Sequence, residues 1–200
     1  MITAADFLEP ARSRGFAWYT GVPCSFLTPF IDEVLGHPAL TYVAASNEGD
    51  AVAFAAGAAL GGVRCGVLMQ NSGLGNAVSP LTSLTHTFRI PVLLVVTWRG
   101  APGLADAPQH ALMGRITHRM LEAMEIPWAP FPTEAEAVAP ALAQAEAAMA
   151  ERSLPFGFVM AKGSVARGDA APRPLAPRPP RAKAERLPGG RRTGRGAVLE

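Results

Sequence analysis

Glu48 stands where an apolar segment, Thr41-Tyr42-Val43-Ala44-Ala45, gives way to a stretch built almost wholly of small residues, Ala51 to Gly62. Asn47-Glu48-Gly49-Asp50 therefore reads as the start of a helix, where a carboxyl group is ordinarily a solvated cap. The turns that follow, Ala-Val-Ala-Phe-Ala-Ala-Gly-Ala-Ala-Leu, are too apolar and too slender for a surface helix. Glu48 is thus expected at a buried, closely packed helix end. A carboxylate there is costly unless it is paired or protonated, and acids in that situation suit proton transfer.

Four further segments carry groups able to bind or react. Gln70-Asn71-Ser72 follows the apolar run Val67-Leu68-Met69 directly and opens into Gly73-Leu74-Gly75-Asn76. Amide and hydroxyl side chains at a strand terminus suit a polar, planar heterocycle. Gly73-x-Gly75 also invites a dinucleotide reading, but position 78 is Val where a third glycine belongs, and no acid stands at the usual distance after the next strand. Arg99 follows the most apolar strand and either pairs with a structural carboxylate or grips an anion with its fork. Gln109 and His110 lie in a proline-flanked loop, where a surface role is the commoner one; His86 and His118 read as structural. Cys24, beside Ser25 after the tight Gly21-Val22-Pro23 turn, is either a small buried apolar group or a nucleophile without an evident base.

The elements that must position these groups follow a regular order. Thr3 and Asp6 form a capping-box pattern opening a helix that Gly15 can stop, although Pro10 conflicts with its middle. Phe16 to Tyr19 reads as a strand. Phe26, Leu27, Phe30, Ile31, Val34 and Leu35 repeat at helical spacing, with Ser25 as the cap. Strands at 41–45 and 65–69 flank the small-residue helix, and a short helix runs on to about Leu84. Pro91 to Trp98 is a central parallel strand, and a helix spans about Met113 to Met124. A strand near Trp128, a helix opened by a capping box at Thr133-Glu134-Ala135-Glu136, and a strand over Phe156–Ala161 complete the pattern. Alternating strands and helices predict an α/β fold: a doubly wound parallel sheet of about six strands with helices on both faces. Its ligands belong outside the carboxyl ends of the strands, where all four polar loops fall.

Composition sets the bounds. Two hundred residues, 49% hydrophobic, suit one domain with a sizeable core. No run reaches membrane-spanning length and no leader pattern opens the chain, so a soluble, cytoplasmic protein is expected. Cys24 and Cys65 alone argue against a disulfide framework or a zinc site, and no metal site is expected within this chain. The formal charge of +2 is uneven. Residues 165–200 hold nine basic and three acidic residues, which leaves +6 there and −4 on residues 1–164. With six prolines from Pro172 to Pro188, residues 165–200 read as a disordered basic linker or tail after a 1–164 domain. Prolines interleave its arginines and aromatics are absent, which favours a linker over a nucleic-acid arm.

Taken together, Gly21-Val22-Pro23-Cys24-Ser25, Asn47-Glu48-Gly49, Gln70 to Asn76, Pro80 to Leu84, Trp98-Arg99-Gly100, Pro108-Gln109-His110 and Gly114 to Thr117 resemble one family. It is the pyrimidine-binding half of the thiamine diphosphate-dependent phosphonopyruvate decarboxylases, with the sulfopyruvate decarboxylases as close relatives. The resemblance runs from about Phe7 to Lys162. It implies that Glu48 hydrogen-bonds the ring nitrogen of the cofactor's aminopyrimidine and so promotes loss of the thiazolium proton. It implies cofactor contacts from Gly21, Val22, Pro23 and the Gln70, Asn71, Ser72, Gly73, Leu74, Gly75, Asn76 loop. Cys24, Ser25, Arg99, Gln109 and His110 become candidates for a small anionic 2-oxoacid substrate.

Two departures bear on those roles. Relatives often read Asp-Glu-Pro-Gln-His where this chain has Asp106-Ala107-Pro108-Gln109-His110, and some carry Asp in place of Cys24. The family's Gly-Asp-Gly motif, which holds the diphosphate through Mg2+, has no counterpart beyond Gly168-Asp169-Ala170. The resemblance therefore implies a complementary diphosphate-binding subunit or domain, and a homo- or hetero-oligomer with its cleft between chains. A binding module without catalysis and a plain nucleotide-binding domain are the rival readings. Restored decarboxylation on adding the other half separates the first; titration with NAD and thiamine diphosphate separates the second.

Overall fold

The computed structural model describes residues 1–166. Six strands, β1 (Phe16–Gly21), β2 (Thr41–Ala44), β3 (Arg64–Gln70), β4 (Leu93–Thr97), β5 (Trp128–Pro130) and β6 (Phe156–Met160), form one sheet in the order β2-β1-β3-β4-β6-β5. Every pairing is parallel. The connecting helices are α1 (Ala4–Ser13), α2 (Thr28–Gly36), α3 (Glu48–Leu60), α4 (Leu74–Pro80), α5 (Ala111–Ala123) and α6 (Ala135–Arg152). The doubly wound α/β architecture expected from the sequence is the one observed. No helix among the described residues is long and apolar enough to cross a membrane.

The sheet separates two cores. On one side α1, α2 and α6 bury Phe7, Phe30, Phe131 and Phe158, whose rings meet edge-on or tilted at 4.8 to 6.1 Å. On the other, α3, α4 and α5 cover Val67, Met69, Leu94 and Val96. β3 and β4 lie between these layers, which is why both read as unbroken apolar runs. The chain steps from β1 outward to β2, then back across β1 to β3. That reversal opens a crevice at the carboxyl ends of β1 and β3, where the loops after each strand diverge.

Local chemistry accounts for most helix boundaries. Thr3 and Asp6 cap α1 reciprocally, at 2.8 and 3.2 Å, and the helix runs through Pro10 unbroken. Two expected caps are corrected. α2 starts from Leu27 without any side-chain cap, because Pro29 in its first turn supplies the required φ and has no N–H to satisfy. Ser25 is left exposed at the sheet edge instead. α6 starts from Glu134, also uncapped, and Glu134 faces the amino terminus at 3.5 Å.

The α3 expectation changes too. The helix begins at Glu48 and buries only one face, Ala51, Val52, Ala55 and Ala56; Phe54 is 45% and Leu60 73% exposed. The packed body also extends past 164, since Val165 bridges to Ile2 and the Ala166 N–H donates to the Ile2 carbonyl. The rest of the expected tail lies outside the described residues.

One close approach sets the position of the loop after β4. A Cβ on Gly114, in α5, would collide with the Gly100 carbonyl, so helix and loop touch through bare backbone. Gly114→Ala should therefore destabilise the fold by about 1–3 kcal/mol through overpacking. Denaturant unfolding checks this, and an unshifted midpoint contradicts it.

Candidate active site

Glu48 is the first residue of α3, and Asn47 caps the helix by accepting the Gly49 N–H at 2.7 Å. The carboxyl group thus lies in the first turn of α3, where backbone N–H groups have no intrahelical acceptor. The residue is 8% exposed. Its Oε2 accepts a hydrogen bond from Asn76 Nδ2 at 2.8 Å. Among the described residues Oε1 accepts none, and it lies beside Gly73. A Cβ on Gly73 would overlap the Glu48 side chain. One oxygen is thus anchored, and the other is left open in a space that glycine keeps clear.

The loop from Gln70 to Asn76 links this acid to a second group of polar atoms. Cys24 Sγ donates to Gln70 Oε1 at 3.3 Å and lies 3.9 Å from Thr97 Oγ1, while Gln70 Nε2 donates to Ser72 Oγ at 2.6 Å. The thiol stands among these neutral groups and within reach of the Arg99 guanidinium. Gly21, Val22 and Pro23 form the turn before it, and Val22 N–H holds that turn to β3 through the Leu68 carbonyl.

Arg99 takes the first of its two sequence readings. Nε and Nη2 donate to Asp106 Oδ2 and Oδ1 at 2.7 and 2.6 Å, and the guanidinium lies 4.7 Å from the centre of the Phe26 ring. Ser25 Oγ is 3.5 Å from Nη1. Asp106 also accepts the N–H groups of Gly100 and Ala107. The Arg99 guanidinium, then these backbone donors, hold its carboxyl well below the usual carboxylate range. A depressed folded value means this pairing contributes fully above the ordinary Asp value near 4 and is lost only as pH falls toward the folded value. At neutral pH the Arg99 charge is balanced in place.

Three expected site residues are buried in the fold. Asn71 is fully buried, and its Nδ2 donates to the Arg99 carbonyl at 2.8 Å and to Thr117 Oγ1 at 2.9 Å, pinning the loop to α5. Leu74 is fully buried in the α3–α4–α5 core. His110 is 9% exposed and packs behind the loop, its carbonyl against Gly100. Gln109, Gly75 and Ser72 are exposed. Asp106, Phe26, Thr97 and Thr117 are not among the site residues expected from the sequence. Asp106, seven residues after Arg99 in a short polar loop, was the one signal available.

A cavity of about 370 Å³ lies at the opposite, amino-terminal edge of the sheet, lined by Phe16, Arg64, Cys65, Ile90 and Met149 among others. Its polar lining is already engaged, Arg64 with Glu146 and the Arg14 carbonyl at 2.6 Å each. The carboxyl edge is where backbone and polar side chains meet. Among the described residues no three His, Cys, Asp or Glu side chains cluster as a metal site would require.

A parallel sheet with an acid at the first turn of a helix beside its crevice defines a cofactor-binding α/β domain. The chain belongs to the thiamine pyrophosphate enzymes: the model of their N-terminal TPP binding domain matches residues 2–121. It is 46% identical over 166 residues to the phosphonopyruvate decarboxylase of Streptomyces viridochromogenes, covering 83% of this chain and 42% of that protein. It is 37% identical over 117 residues to the sulfopyruvate decarboxylase subunit alpha of Methanothermobacter thermautotrophicus, covering 58% and 70%. The thiamine diphosphate-dependent 4-hydroxybenzoylformate decarboxylase of Rhodococcus jostii RHA1 shares the fold, with a TM-score of 0.58, 22% identity, and coverage of 80% and 30%. The chain spans less than half the length of the phosphonopyruvate decarboxylases it matches.

The gap beside Glu48 makes a direct prediction. Gly73→Ala should push the carboxyl group aside and weaken thiamine diphosphate binding by the full-length or assembled protein about tenfold or more, equivalent to 1.4 kcal/mol, with circular dichroism unchanged. Calorimetric titration reads the affinity; an unaltered value shows that the open oxygen is not what the ring meets.

Proposed function

We propose that this chain is the pyrimidine-binding half of a carbon–carbon lyase that converts 3-phosphonopyruvate to phosphonoacetaldehyde and CO2. The observation that carries the reading is the buried Glu48, with one oxygen tied to Asn76 and the other open beside Gly73. It is supported by the relatedness to phosphonopyruvate decarboxylases. The fit to an aminopyrimidine is chemical: a single carboxylate oxygen, shielded from water, meets a ring nitrogen that can carry a proton.

Bound thiamine diphosphate supplies an electron sink for the pair left behind as CO2 departs. The residues of this chain bind, shield and move protons around it. Glu48 Oε1 would hold the pyrimidine ring nitrogen of the bound cofactor by a hydrogen bond, and the low polarity around Ala51 and Val52 would strengthen that contact. Asn76 keeps the carboxylate from rotating away. Gly21, Val22 and Pro23 with Gln70, Ser72 and Gly73 form the walls. Cys24 and Ser25, beside the Arg99–Asp106 pair, face the substrate's anionic end. With Nε and Nη2 taken by Asp106, Arg99 Nη1 beside Ser25 Oγ is the part of the guanidinium left to meet an anion.

Mg2+ and the diphosphate belong to a complementary half, either a separate subunit or the continuation of a longer chain. The apolar outer face of α3, with Phe54 and Leu60 exposed, supports docking of that half or of a second copy. A cytoplasmic setting accords with a diffusible anionic substrate. Sulfopyruvate is the competing substrate, since this chain spans 70% of a sulfopyruvate decarboxylase alpha subunit.

With the complementary half present, the enzyme should release CO2 from 3-phosphonopyruvate with a kcat/KM at least about tenfold above that for sulfopyruvate, about 1.4 kcal/mol of discrimination. The reverse order assigns the sulfonate. Failure with both acids leaves a non-catalytic module. Glu48→Gln, which cannot relay a proton, should lower kcat by about 10²–10⁴ while the fold persists; wild-type turnover in that variant rejects the role.

A further inference from the structure

Arg99 and Asp106 form a pair that is closed on one side and open on the other. The guanidinium gives Nε and Nη2 to the two Asp106 oxygens, and its face lies 4.7 Å from the centre of the Phe26 ring. Asp106 also takes the Gly100 and Ala107 N–H groups, at 2.9 and 2.8 Å, so four donors hold its carboxylate in place. What remains is one edge of the guanidinium, Nη1, with Ser25 Oγ 3.5 Å away. Among the described residues the Ser25 hydroxyl has no closer hydrogen-bonding partner. Cys24 Sγ, on the same loop, donates to Gln70 Oε1 at 3.3 Å.

The charges at this edge balance. Arg99 and Asp106 sum to zero, and their side chains are 17% and 15% exposed, so solvent screens both only in part. Four other titratable side chains stand around the pair. Cys24 reaches the guanidinium from the β1–α2 loop. Arg115, on α5, lines the same depression as Asp106 but is exposed to solvent, which screens it. His110 packs against Gly100 behind the loop, and Glu48, on α3, is tied to Asn76.

We infer that Asp106 is a positioning residue that makes this edge select the singly charged, protonated form of the substrate's phosphonate. The identity of the substrate rests on the decarboxylase reading. A phosphonate loses its second proton in the neutral range, as a phosphate ester does at a pKa of about 6. Two forms therefore compete for Nη1. The second negative charge of the dianion must be stripped of water, and a guanidinium already balanced by Asp106 returns little for it. The monoanion avoids that cost, and its P–OH proton finds an acceptor in Ser25 Oγ. A sulfonate is also singly charged but has no proton to donate. Charge thus selects the protonation state, and the serine hydroxyl tells phosphonate from sulfonate.

The test uses the assembled protein with thiamine diphosphate bound, and two unreactive probes that lack the 2-oxo group, 3-phosphonopropionate and 3-sulfopropionate. Calorimetric titrations span the second ionisation of the phosphonate probe, which phosphorus NMR locates in the same buffer. Above that ionisation the phosphonate Kd should rise about tenfold per pH unit, the slope of one bound proton. The sulfonate Kd should stay level, and it reports any titration of the site itself, Cys24 included. Below the ionisation the phosphonate should bind about tenfold tighter, as one added hydrogen bond allows. Asp106→Asn keeps an oxygen for Arg99 but removes the charge, and should flatten the phosphonate profile by admitting the dianion. A merely structural loss would weaken both probes alike and keep the slope. A wild-type phosphonate Kd that is level or falls with rising pH overturns the proposal, whether or not the variant folds. Failure of both probes to bind overturns it too, as does a folded Asp106→Asn protein with the wild-type slope. If the wild-type slope is present but neither 3-phosphonopyruvate nor sulfopyruvate releases CO2, the anion site stands and the decarboxylase reading fails.

Discussion

Holding a carboxylate nearly out of water, yet leaving one of its oxygens unengaged, is the constraint around which this edge of the sheet is arranged. Stripping water from a charged group costs several kcal/mol unless dipoles replace it. Here the replacement comes from three sources: the amino end of α3, the Asn47 cap that orders it, and the amide of Asn76. A neutral hydrogen bond of that kind contributes about 0.5–1.5 kcal/mol, and more when the acceptor is charged. Gly73 completes the arrangement by absence of a side chain, since any Cβ would fill the space the carboxyl group occupies. The surrounding alanines bring α3 and α4 close enough for Glu48 and Asn76 to meet.

The sheet order makes this meeting possible. Because the chain crosses back over β1 to reach β3, the loops carrying Cys24 and Gln70 leave adjacent strands in diverging directions. α3 and α4 then lie side by side on one face, so the first residue of one faces the loop that starts the other. The Arg99 loop is fixed separately, by Asp106 from within and by the Gly100–Gly114 contact from behind. Asn71 ties the two together through the Arg99 carbonyl. The groups proposed to face the substrate and those proposed to face the cofactor are therefore parts of one hydrogen-bonded framework.

Much of this was readable from residue types. The apolar run Pro91–Val96, bounded by turn residues in an alternating pattern of strands and helices, points to a central parallel strand, and Thr3 with Asp6 forms the expected cap. Glu48 was legible because an acid before an alanine-rich helix is a conflict that packing has to resolve. Side-chain direction was not legible. Asn71 and Leu74 sit between residues of the same loop that face outward, and a short one-turn helix at Asn71–Gly73 rotates them inward. The Arg99–Asp106 pair depends on a left-handed turn at Gly100 that brings position 106 back, which spacing alone does not reveal. Ser25 looked like a cap until Pro29 made a cap unnecessary. Phe54 and Leu60 illustrate a deeper limit: an apolar residue facing a partner and one facing the core have the same letter.

The most direct test of the account is the exchange of the cofactor's thiazolium C2 proton with deuterated water, followed by NMR on the assembled protein. If the Glu48 carboxylate sets the protonation of the pyrimidine ring, exchange should slow by about 10²–10⁴ when Glu48 is replaced by Gln, with bound cofactor still saturating the site. Equal exchange rates in the two proteins would mean that the ring is served by some other group, and that Glu48 is buried for structural reasons alone.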